Sequence, residues 1–266
     1  MNIKTICGKY PKLLDYGSIQ KLLSLDKPIV TIAMLSYRRP KSLLKSLKQL
    51  LNSGIPLNLC LNVQGQEELS NKIKSNIETL TSKFYTCRLS YSDGNLGSGI
   101  PRHRVIEKSL TFDTPYIMTT DDDMMWPKYS IAAQISVLES LHQYGAIGSV
   151  CLPNYPMCYR DGNKTSQLVI TEQFTEAEMM GSATTIYRRD VFDTCEYDKG
   201  YTIGLGDFDL CRQMLKNWKL GIINIPELNS LNDWDADAKS YIKERYNQPT
   251  IMKSRERFLK KWGFQG

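Results

Sequence analysis

Apolar, β-branched segments alternate with segments of helical periodicity, and this alternation limits the fold more than any other feature. Residues 29–36 (IVTIAMLS) follow Pro28 and predict a buried strand, and leucines recur at helical spacing over residues 40–51. The alternation continues as strand 57–63, helix 67–83, strand 85–91, helix 101–110, strand 116–120, helix 129–144 and strand 146–152. Such a chain forms an α/β fold, a mostly parallel central sheet with helices on both faces. Ligands bind at the carboxyl edge of such a sheet.

Beyond Pro153 the pattern becomes irregular. One helix is predicted at 207–217 and one strand at 220–226, and the C-terminal segment predicts two helices separated near Pro249. We therefore expect three parts, namely an N-terminal extension (1–28), one α/β domain (29–238) and a basic C-terminal helical extension (239–266).

Composition disfavours several classes of protein. The 266 residues are 41% hydrophobic and 23% charged, which is typical of a globular chain with a sizeable core. No apolar run reaches the roughly 20 residues that a transmembrane helix needs, and the first residues lack the apolar stretch of a signal peptide. The seven cysteines form no CxxC pair, which argues against a disulfide framework and structural zinc. We expect a cytoplasmic protein.

The net charge of +6 is concentrated at the C-terminal end. Residues 239–266 contain eight Lys or Arg against only Glu244 and Glu256, so the remainder of the chain is neutral. This tail suits either a polyanion, such as nucleic acid or an anionic membrane surface, or a solvated helix face.

Three consecutive carboxylates, Asp121, Asp122 and Asp123, follow the apolar segment YIMTT. Adjacent carboxylates repel one another unless a cation holds them, and Mg²⁺ or Mn²⁺ prefers oxygen ligands. Their place at a strand end favours a metal site over a solvated acidic turn. A diphosphate on the same ion would complete its coordination.

Two glycine-containing turns accompany this motif. GLGDFDLCR delivers Asp207 and Asp209 to the start of a helix, where their side chains should point in different directions. NLGSGIPRH leads from the third strand into a helix, and its glycines let backbone amides approach an anion beside Arg102. Alone, each also fits a plain structural turn, with Asp207 as an N-cap.

Four motifs in this order resemble the glycosyltransferase family 2 pattern on the GT-A fold. The sequence has SYRRP, NLGSGIPRH, DDD and GDFDLC where the family typically shows TYNRP-like, NLG…RN, DxD and EDxDLC segments. The resemblance covers about residues 29–230. It implies a Rossmann-like domain with a nucleotide-binding half at about 29–123 and an acceptor half at about 124–238. Its activity would be hexosyl or pentosyl transfer from a nucleotide-sugar, with UDP the expected nucleotide.

The resemblance also implies the donor site. Tyr37 would lie against the base, and Asn62 stands where the family often has an aspartate that reads the base or ribose, which leaves the base open. Gly181 in MMGSA resembles a glycine that lines the sugar pocket. The donor-binding residues expected on this basis are Ser36, Tyr37, Arg39, Asn62, Arg102, Asp121, Asp122 and Gly181.

The catalytic base implied by the resemblance is Asp207. It matches the second acidic residue of the family's ED pair, which takes the proton of the acceptor hydroxyl in an inverting displacement. Gly206 stands where the family has the glutamate, and Asp209 is the fallback base.

A Mn²⁺ or Mg²⁺ ion is implied at Asp121 and Asp123. Many GT-A enzymes add a histidine ligand, but His103 and His142 both lie elsewhere in the sequence. The corresponding stretch offers oxygen ligands instead, at Asn232, Asp233 and Asp235.

Three functions of different classes remain open. The first is sugar transfer to a glycan, lipid-linked sugar or small molecule. The second is glycosylation of a hydroxylated base in DNA or RNA, with the basic tail on the phosphates and the base unstacked. The third is a nucleotidyltransferase or a non-catalytic nucleotide-binding module, against which GDFDLC and the position of SYRRP argue. The sugar and the acceptor depend on loops such as 153–180.

Overall fold

The computed structural model describes residues 2–152, 158–159, 172–233 and 248–263. The helices are α1 (Ile3–Lys9), α2 (Tyr16–Leu23), α3 (Pro40–Leu51), α4 (Asn71–Thr81), α5 (Gly99–Ser109), α6 (Ser130–Ser140), α7 (Gly206–Met214) and α8 (Gln248–Trp262). The longer strands are β1 (Val30–Tyr37), β2 (Asn58–Gln64), β3 (Thr86–Ser92), β4 (Tyr116–Asp121), β6 (Tyr144–Ser149), β9 (Phe174–Ala177), β11 (Thr184–Arg188) and β12 (Lys219–Ile223). Short strands are β5 (Met124–Met125), β7 (Cys151–Leu152), β8 (Cys158–Tyr159), β10 (Met179–Met180) and β13 (Ser230–Asn232).

An eight-stranded sheet forms the centre of the molecule, in the order β3-β2-β1-β4-β11-β6-β12-β9. The first four strands are parallel, and β1 pairs with β2 and β4 so that Tyr37 lies opposite Gln64 and Leu35 opposite Asp121. The carboxyl ends of β1, β2 and β4 therefore meet at one edge of the sheet, where the predicted motifs begin. The predicted α/β fold with a mostly parallel sheet is confirmed.

Strand β11 is the main departure from the predicted order of elements. It lies antiparallel between β4 and β6, and the edge strand β9 is antiparallel to β12. The sequence pattern predicted β6 and β12, which pair in parallel, but neither β11 nor β9. Both strands lie beyond Pro153, where the sequence pattern is irregular, and their four or five residues give little periodicity of their own.

Helices cover both faces of the sheet because the strands alternate their side chains between two apolar clusters. In β1, Ile32 and Met34 belong to the first cluster and Ala33 and Leu35 to the second. The first cluster also includes buried residues of α1 to α4 and α6, whereas α5 and α7 contribute to the second. This places α5 and α7, which carry Arg102 and Asp207, on the same face.

The two ends of the described chain pack onto the domain. Buried side chains of α1 and α2, such as Ile6 and Ile19, join the first apolar cluster. At the other end, Phe258 and Ser254 of α8 are buried, and Pro249 lies in the first turn of that helix. The predicted helix N-terminal to Pro249 lies outside the described residues. The predicted domain boundaries stay predictions. None of the described helices is long and apolar enough to cross a membrane.

Candidate functional site

A cleft of about 420 Å³ opens at the carboxyl edge of the parallel strands. It is bordered by the ends of β1, β2 and β4, the start of α5 and α7, and one residue of α8. The residues that line it are Leu35, Ser36, Tyr37, Arg39, Gln64, Asn95, Gly97, Ser98, Arg102, Asp121, Ser182, Ala183, Tyr197, Ile203, Gly204, Leu205, Asp207, Phe208 and Ile251. The structure thus brings residues of all four motifs to one place.

Asp121 is the carboxylate of the DDD motif that lines the cleft. It ends β4, its side chain is 30% exposed, and it pairs with the guanidinium of Arg102. Arg102 is itself buried and donates to the carbonyl oxygens of Ala33 (3.2 Å) and Thr120 (2.9 Å). Arg102 is therefore a fixed cation under the strand ends.

Burial opposes the charge of Arg102, but Asp121, Tyr197 and Asp207 raise the pKa of its guanidinium above the usual value. A buried charge persists only when it is paired and hydrogen-bonded. Arg102 satisfies this condition through β1, β4 and Asp121. The predicted place of Arg102 and Asp121 beside the donor site fits this geometry.

Asp122 and Asp123 do not point into the cleft. Both are buried and both contact Arg39, which reaches Asp122 Oδ1 at 2.5 Å and also pairs with Asp123. Asp122 Oδ2 additionally accepts from the backbone N–H of Tyr37 at 3.2 Å. Burial raises the pKa of Asp122 to about 7, against the opposing effect of Arg39. The predicted donor role of Asp122 is corrected accordingly: it holds the SYRRP turn in place.

The SYRRP turn presents Ser36, Tyr37 and Arg39, which are predicted to bind the donor, to the cleft. Arg38 adopts a left-handed backbone (φ 52°), which is uncommon outside glycine and directs Arg39 back toward the DDD motif. Gly65 has φ +70°, and a Cβ there would lie 3.2 Å from the Tyr37 ring. The turn is therefore built for close contact between β1, β2 and β4.

Asn62 does not line the cleft. Its Nδ2 donates to Ser90 Oγ (3.1 Å) and its Oδ1 accepts from Ser92 Oγ (3.4 Å), so the amide joins β2 to β3. Gln64, two residues further along β2, is the side chain at the cleft. It accepts from the N–H of Leu96 at 2.9 Å and holds the following loop. The predicted donor contact of Asn62 is corrected because the strand ends later than the motif suggested.

Close packing requires glycine at both glycine positions of NLGSG. A Cβ on Gly97 would lie 2.4 Å from the carbonyl oxygen of Thr202, and one on Gly99 would lie 2.0 Å from that of Tyr201. Ser98 N–H donates to the same Thr202 carbonyl at 2.7 Å. The loop before α5 is therefore pressed against the segment that precedes α7, and both border the cleft.

Asp207 lies in the first turn of α7 and lines the cleft. Its Oδ1 accepts hydrogen bonds from Ser182 Oγ (2.8 Å) and Tyr197 OH (3.0 Å). Within the described residues no group donates to its Oδ2. One oxygen is thus held by the protein and the other remains free for a ligand, which suits a general base.

Asp209 is completely buried and does not line the cleft. It accepts from Trp262 Nε1 (2.7 Å), Lys261 Nζ (2.8 Å), Gln213 Nε2 (2.7 Å) and Tyr201 OH (3.2 Å). The predicted fallback role as base is corrected, because every direction of approach to this carboxylate is occupied. Asp209 instead anchors α8 to the domain.

The structure brings the predicted metal ligands close together along the backbone, because the N–H of Asp233 donates to the carbonyl oxygen of Asp123 at 2.8 Å, but their side chains contact other groups. Asp123 faces Arg39, Asp233 Oδ2 pairs with Lys45 Nζ at 2.7 Å, and Asn232 Nδ2 lies against Met124 Sδ. Among the described residues no three His, Cys, Asp or Glu side chains form a metal site. Asp235 lies outside the described residues. Asp121 fits a cation that binds together with a diphosphate, because Mg²⁺ usually takes one or two carboxylates plus substrate phosphates.

Gly181 is buried behind the cleft, where its carbonyl accepts from Thr185 Oγ1 at 2.8 Å. Its neighbours Ser182 and Ala183 are the residues that line the cleft. His103 Nδ1 lies 2.9 Å from the carbonyl oxygen of Tyr197, so it packs α5 against that segment.

Sequence reasoning missed Gln64, Ser182, Tyr197 and Ile251. Gln64 could have been found in principle, since it directly follows the predicted strand 57–63 and is the last residue of β2. Ser182 directly follows the glycine that the motif did identify. Tyr197 and Ile251 carry no local signal, because their place at the cleft depends on how irregular segments and α8 fold back.

Solved structures of S. aureus TarS share this fold. TarS 1–349 aligns with a TM-score of 0.57 and 12% identity, covering 88% of this chain and 72% of that one. Its complex with UDP aligns with a TM-score of 0.56 and 12% identity, covering 90% of this chain and 73% of that one. Its complex with UDP-GlcNAc aligns with a TM-score of 0.56 and 11% identity, covering 87% of this chain and 67% of that one. No protein-family model and no curated protein matches the sequence. The chain has the GT-A fold of nucleotide-sugar glycosyltransferases, as its four motifs predicted.

Proposed function

We propose that this protein transfers a sugar from a nucleoside diphosphate sugar to an acceptor hydroxyl. The observation that carries this proposal is that Asp121, Arg102 and Asp207 line one cleft at the carboxyl edge of a GT-A sheet. A fixed cation lies beside one carboxylate, and a second carboxylate keeps a free oxygen. Donor binding and acceptor activation thus have separate groups.

UDP is the proposed nucleotide. TarS, which shares the fold, was solved with UDP and with UDP-GlcNAc. In this chain the buried ring of Tyr37 and the Gln64 side chain border the region where β1 and β2 end. An aromatic ring and an amide suit the stacking and hydrogen bonding of a base. Arg102 suits the diphosphate.

The proposed reaction is an inverting displacement. Asp207 takes the proton of the acceptor hydroxyl as its oxygen forms a bond to the anomeric carbon, while the bond from that carbon to the diphosphate oxygen breaks. UDP leaves with the electron pair of the broken bond. The positive charge of Arg102 favours the negative charge that develops on the leaving group.

Asp121 is the residue proposed to hold Mn²⁺ or Mg²⁺ when the donor is present. The cation would offset the charge of the diphosphate as it departs. Because Asp123 pairs with Arg39 and Asp233 pairs with Lys45, the phosphates of the donor and water would supply most of the remaining ligands of the cation. Metal binding should therefore depend on nucleotide.

The proposed acceptor is a glycan or a lipid-linked sugar. A hydroxylated base in DNA is the alternative, and its support is the basic tail. Two of the described basic residues of α8 are already engaged, since Arg257 pairs with Asp198 at 2.8 Å and Lys261 with Asp209 at 2.8 Å. Fewer charges than the sequence suggested are thus available for phosphates, which favours the glycan acceptor.

A nucleotide-sugar screen tests the proposal. The full chain is incubated with a panel of UDP-, GDP- and dTDP-sugars with Mn²⁺, Mg²⁺ or a chelator, and nucleoside diphosphate release is measured with a glycan panel or hydroxymethylated DNA. We expect metal-dependent UDP release that a glycan accelerates and that Asp207→Asn abolishes. If only hydroxymethylated DNA accelerated UDP release, DNA rather than a glycan would be the acceptor. Absence of release from every donor, with nucleotide binding retained, would leave a binding module.

A further inference from the structure

Tyr197 is bound to the proposed base in a way that no motif indicated. Its hydroxyl donates to Asp207 Oδ1 at 3.0 Å, and Ser182 Oγ donates to the same oxygen at 2.8 Å. Two donors on one carboxylate oxygen fix the orientation of the whole group. Since nothing described donates to Oδ2, this arrangement directs that oxygen alone toward the acceptor.

Gly206 makes room for the Tyr197 side chain. A Cβ at position 206 would lie 2.5 Å from the phenol oxygen and 2.7 Å from the adjacent ring carbon. Gly206 begins α7 and its φ is not positive, so its backbone does not itself require glycine. The small residue is needed for contact with Tyr197. The tyrosine and the glycine are therefore a matched pair beside Asp207.

Toward the Asp207 carboxylate, Tyr197 can act only as a donor. Burial, followed by the proximity of Asp207, raises the pKa of its phenol well above the usual value, so the hydroxyl keeps its proton. The segment that carries it is also fixed, because His103 Nδ1 contacts the Tyr197 carbonyl at 2.9 Å. A neutral, immobile donor favours the charged form of the carboxylate that it contacts.

Three ionisable groups near Asp207 keep one charge state over the working pH range. Arg102 of α5, which pairs with Asp121, has a raised pKa. Burial raises the pKa of Tyr187 far above its usual value and that of Cys211 to about 12. These three groups therefore do not contribute to a change in the acidic limb of a pH profile.

We propose that Tyr197 is a positioning residue for Asp207: with Ser182 it immobilises Oδ1 and reserves Oδ2 for the acceptor hydroxyl, and Gly206 is the residue that admits it. The inference rests on the proposed transfer activity. It assigns to this chain a tyrosine and a serine in support of the base.

The test compares Tyr197→Phe, Ser182→Ala and Gly206→Ala with Tyr187→Phe, which removes another buried hydroxyl without a bond to Asp207. Donor KM, kcat for transfer, the pH profile of kcat and the melting temperature are measured for each. We expect Tyr197→Phe to lower kcat by about tenfold or more and to change the pH profile of kcat, with donor KM nearly unchanged. Ser182→Ala and Gly206→Ala should act in the same direction, and Tyr187→Phe should not.

Two kinds of failure are distinguishable. If the wild type transfers no sugar, the proposed function is wrong. If the wild type is active and Tyr197→Phe keeps its kcat and pH profile, or behaves like Tyr187→Phe, the positioning role is overturned. Should Tyr197→Phe fail to fold, Ser182→Ala decides, because it removes a donor to the same oxygen and only one side-chain atom.

Discussion

The DDD motif after β4 and the DFD motif at the start of α7 border the same cleft, and they distribute their carboxylates in the same way. Asp121 and Asp207 line the cleft, whereas Asp123 and Asp209 are buried against cationic side chains. The buried residues fix the backbone that carries the exposed ones. Proximity in sequence therefore says little about which carboxylate meets a ligand.

The partners of the two buried residues differ in where they come from. Arg39, which contacts Asp123, follows β1 within the same half of the domain. Lys261 and Trp262, which contact Asp209, belong to α8. The DDD motif is thus held from within the sheet, and the DFD motif is held by the C-terminal helix.

The largest expected effect on activity comes from Asp207→Asn. The amide cannot accept the acceptor proton, so kcat should fall by about 10²- to 10⁴-fold. Donor affinity and melting temperature should change little, since the side chain is only partly buried and keeps its shape. Steady-state transfer and UDP calorimetry measure both properties. Turnover near that of the wild type would remove Asp207 from its role as base.

Asp209→Asn should have the opposite effect to Asp207→Asn: it should lower the stability of the protein and leave kcat nearly unchanged. The amide would turn an NH₂ group toward some of the four donors that now meet a carboxylate. Loss of a buried ion-pair partner costs about 3 to 5 kcal/mol. We expect a cost near the lower value here, because Lys261 is partly exposed and can be hydrated. Chemical denaturation measures this cost. A variant as stable as wild type but inactive would return Asp209 to the active site.

The same comparison shows what a sequence can predict. The strands that lead to the cleft were predictable, because β1, β2 and β4 are rich in apolar residues and alternate with helical segments, an order that implies a parallel sheet. The orientation of the Asp123 side chain was not predictable, since its partner Arg39 lies 84 positions away in the sequence. Periodicity describes a local segment, whereas the orientation of a carboxylate depends on the charge that tertiary folding brings to it.

Asp121→Asn and Asp123→Asn separate the two roles within the DDD motif. Asp121→Asn should weaken the Mn²⁺-dependent part of UDP binding by about tenfold or more, because it removes the carboxylate in the cleft. Asp123→Asn should leave that part nearly unchanged and lower the melting temperature, because it breaks the pair with Arg39. Calorimetry with and without Mn²⁺ measures the difference. Loss of metal dependence in Asp123→Asn alone would restore Asp123 as the ligand.

The smallest effect is expected from the outer face of α8, where Lys253, Arg255 and Lys260 are exposed. Replacing all three with Gln should change transfer to a glycan less than about twofold, because exposed charges contribute little at physiological salt. Arg257→Gln is the matched control on the inner face, and it should lower the melting temperature by breaking the pair with Asp198. Activity is measured over a range of salt concentrations.

A nucleic-acid acceptor would give a different result in the same experiment. Each lost phosphate contact lowers the slope of log affinity against log salt by about 0.9 for duplex DNA. A triple variant with a clearly shallower slope would therefore assign the outer face of α8 to a polyanion. An unchanged slope would mean that Lys253, Arg255 and Lys260 do not contact the phosphates. Among the described basic residues of α8, Lys261 and Arg257 would then act within the protein, as the partners of Asp209 and Asp198.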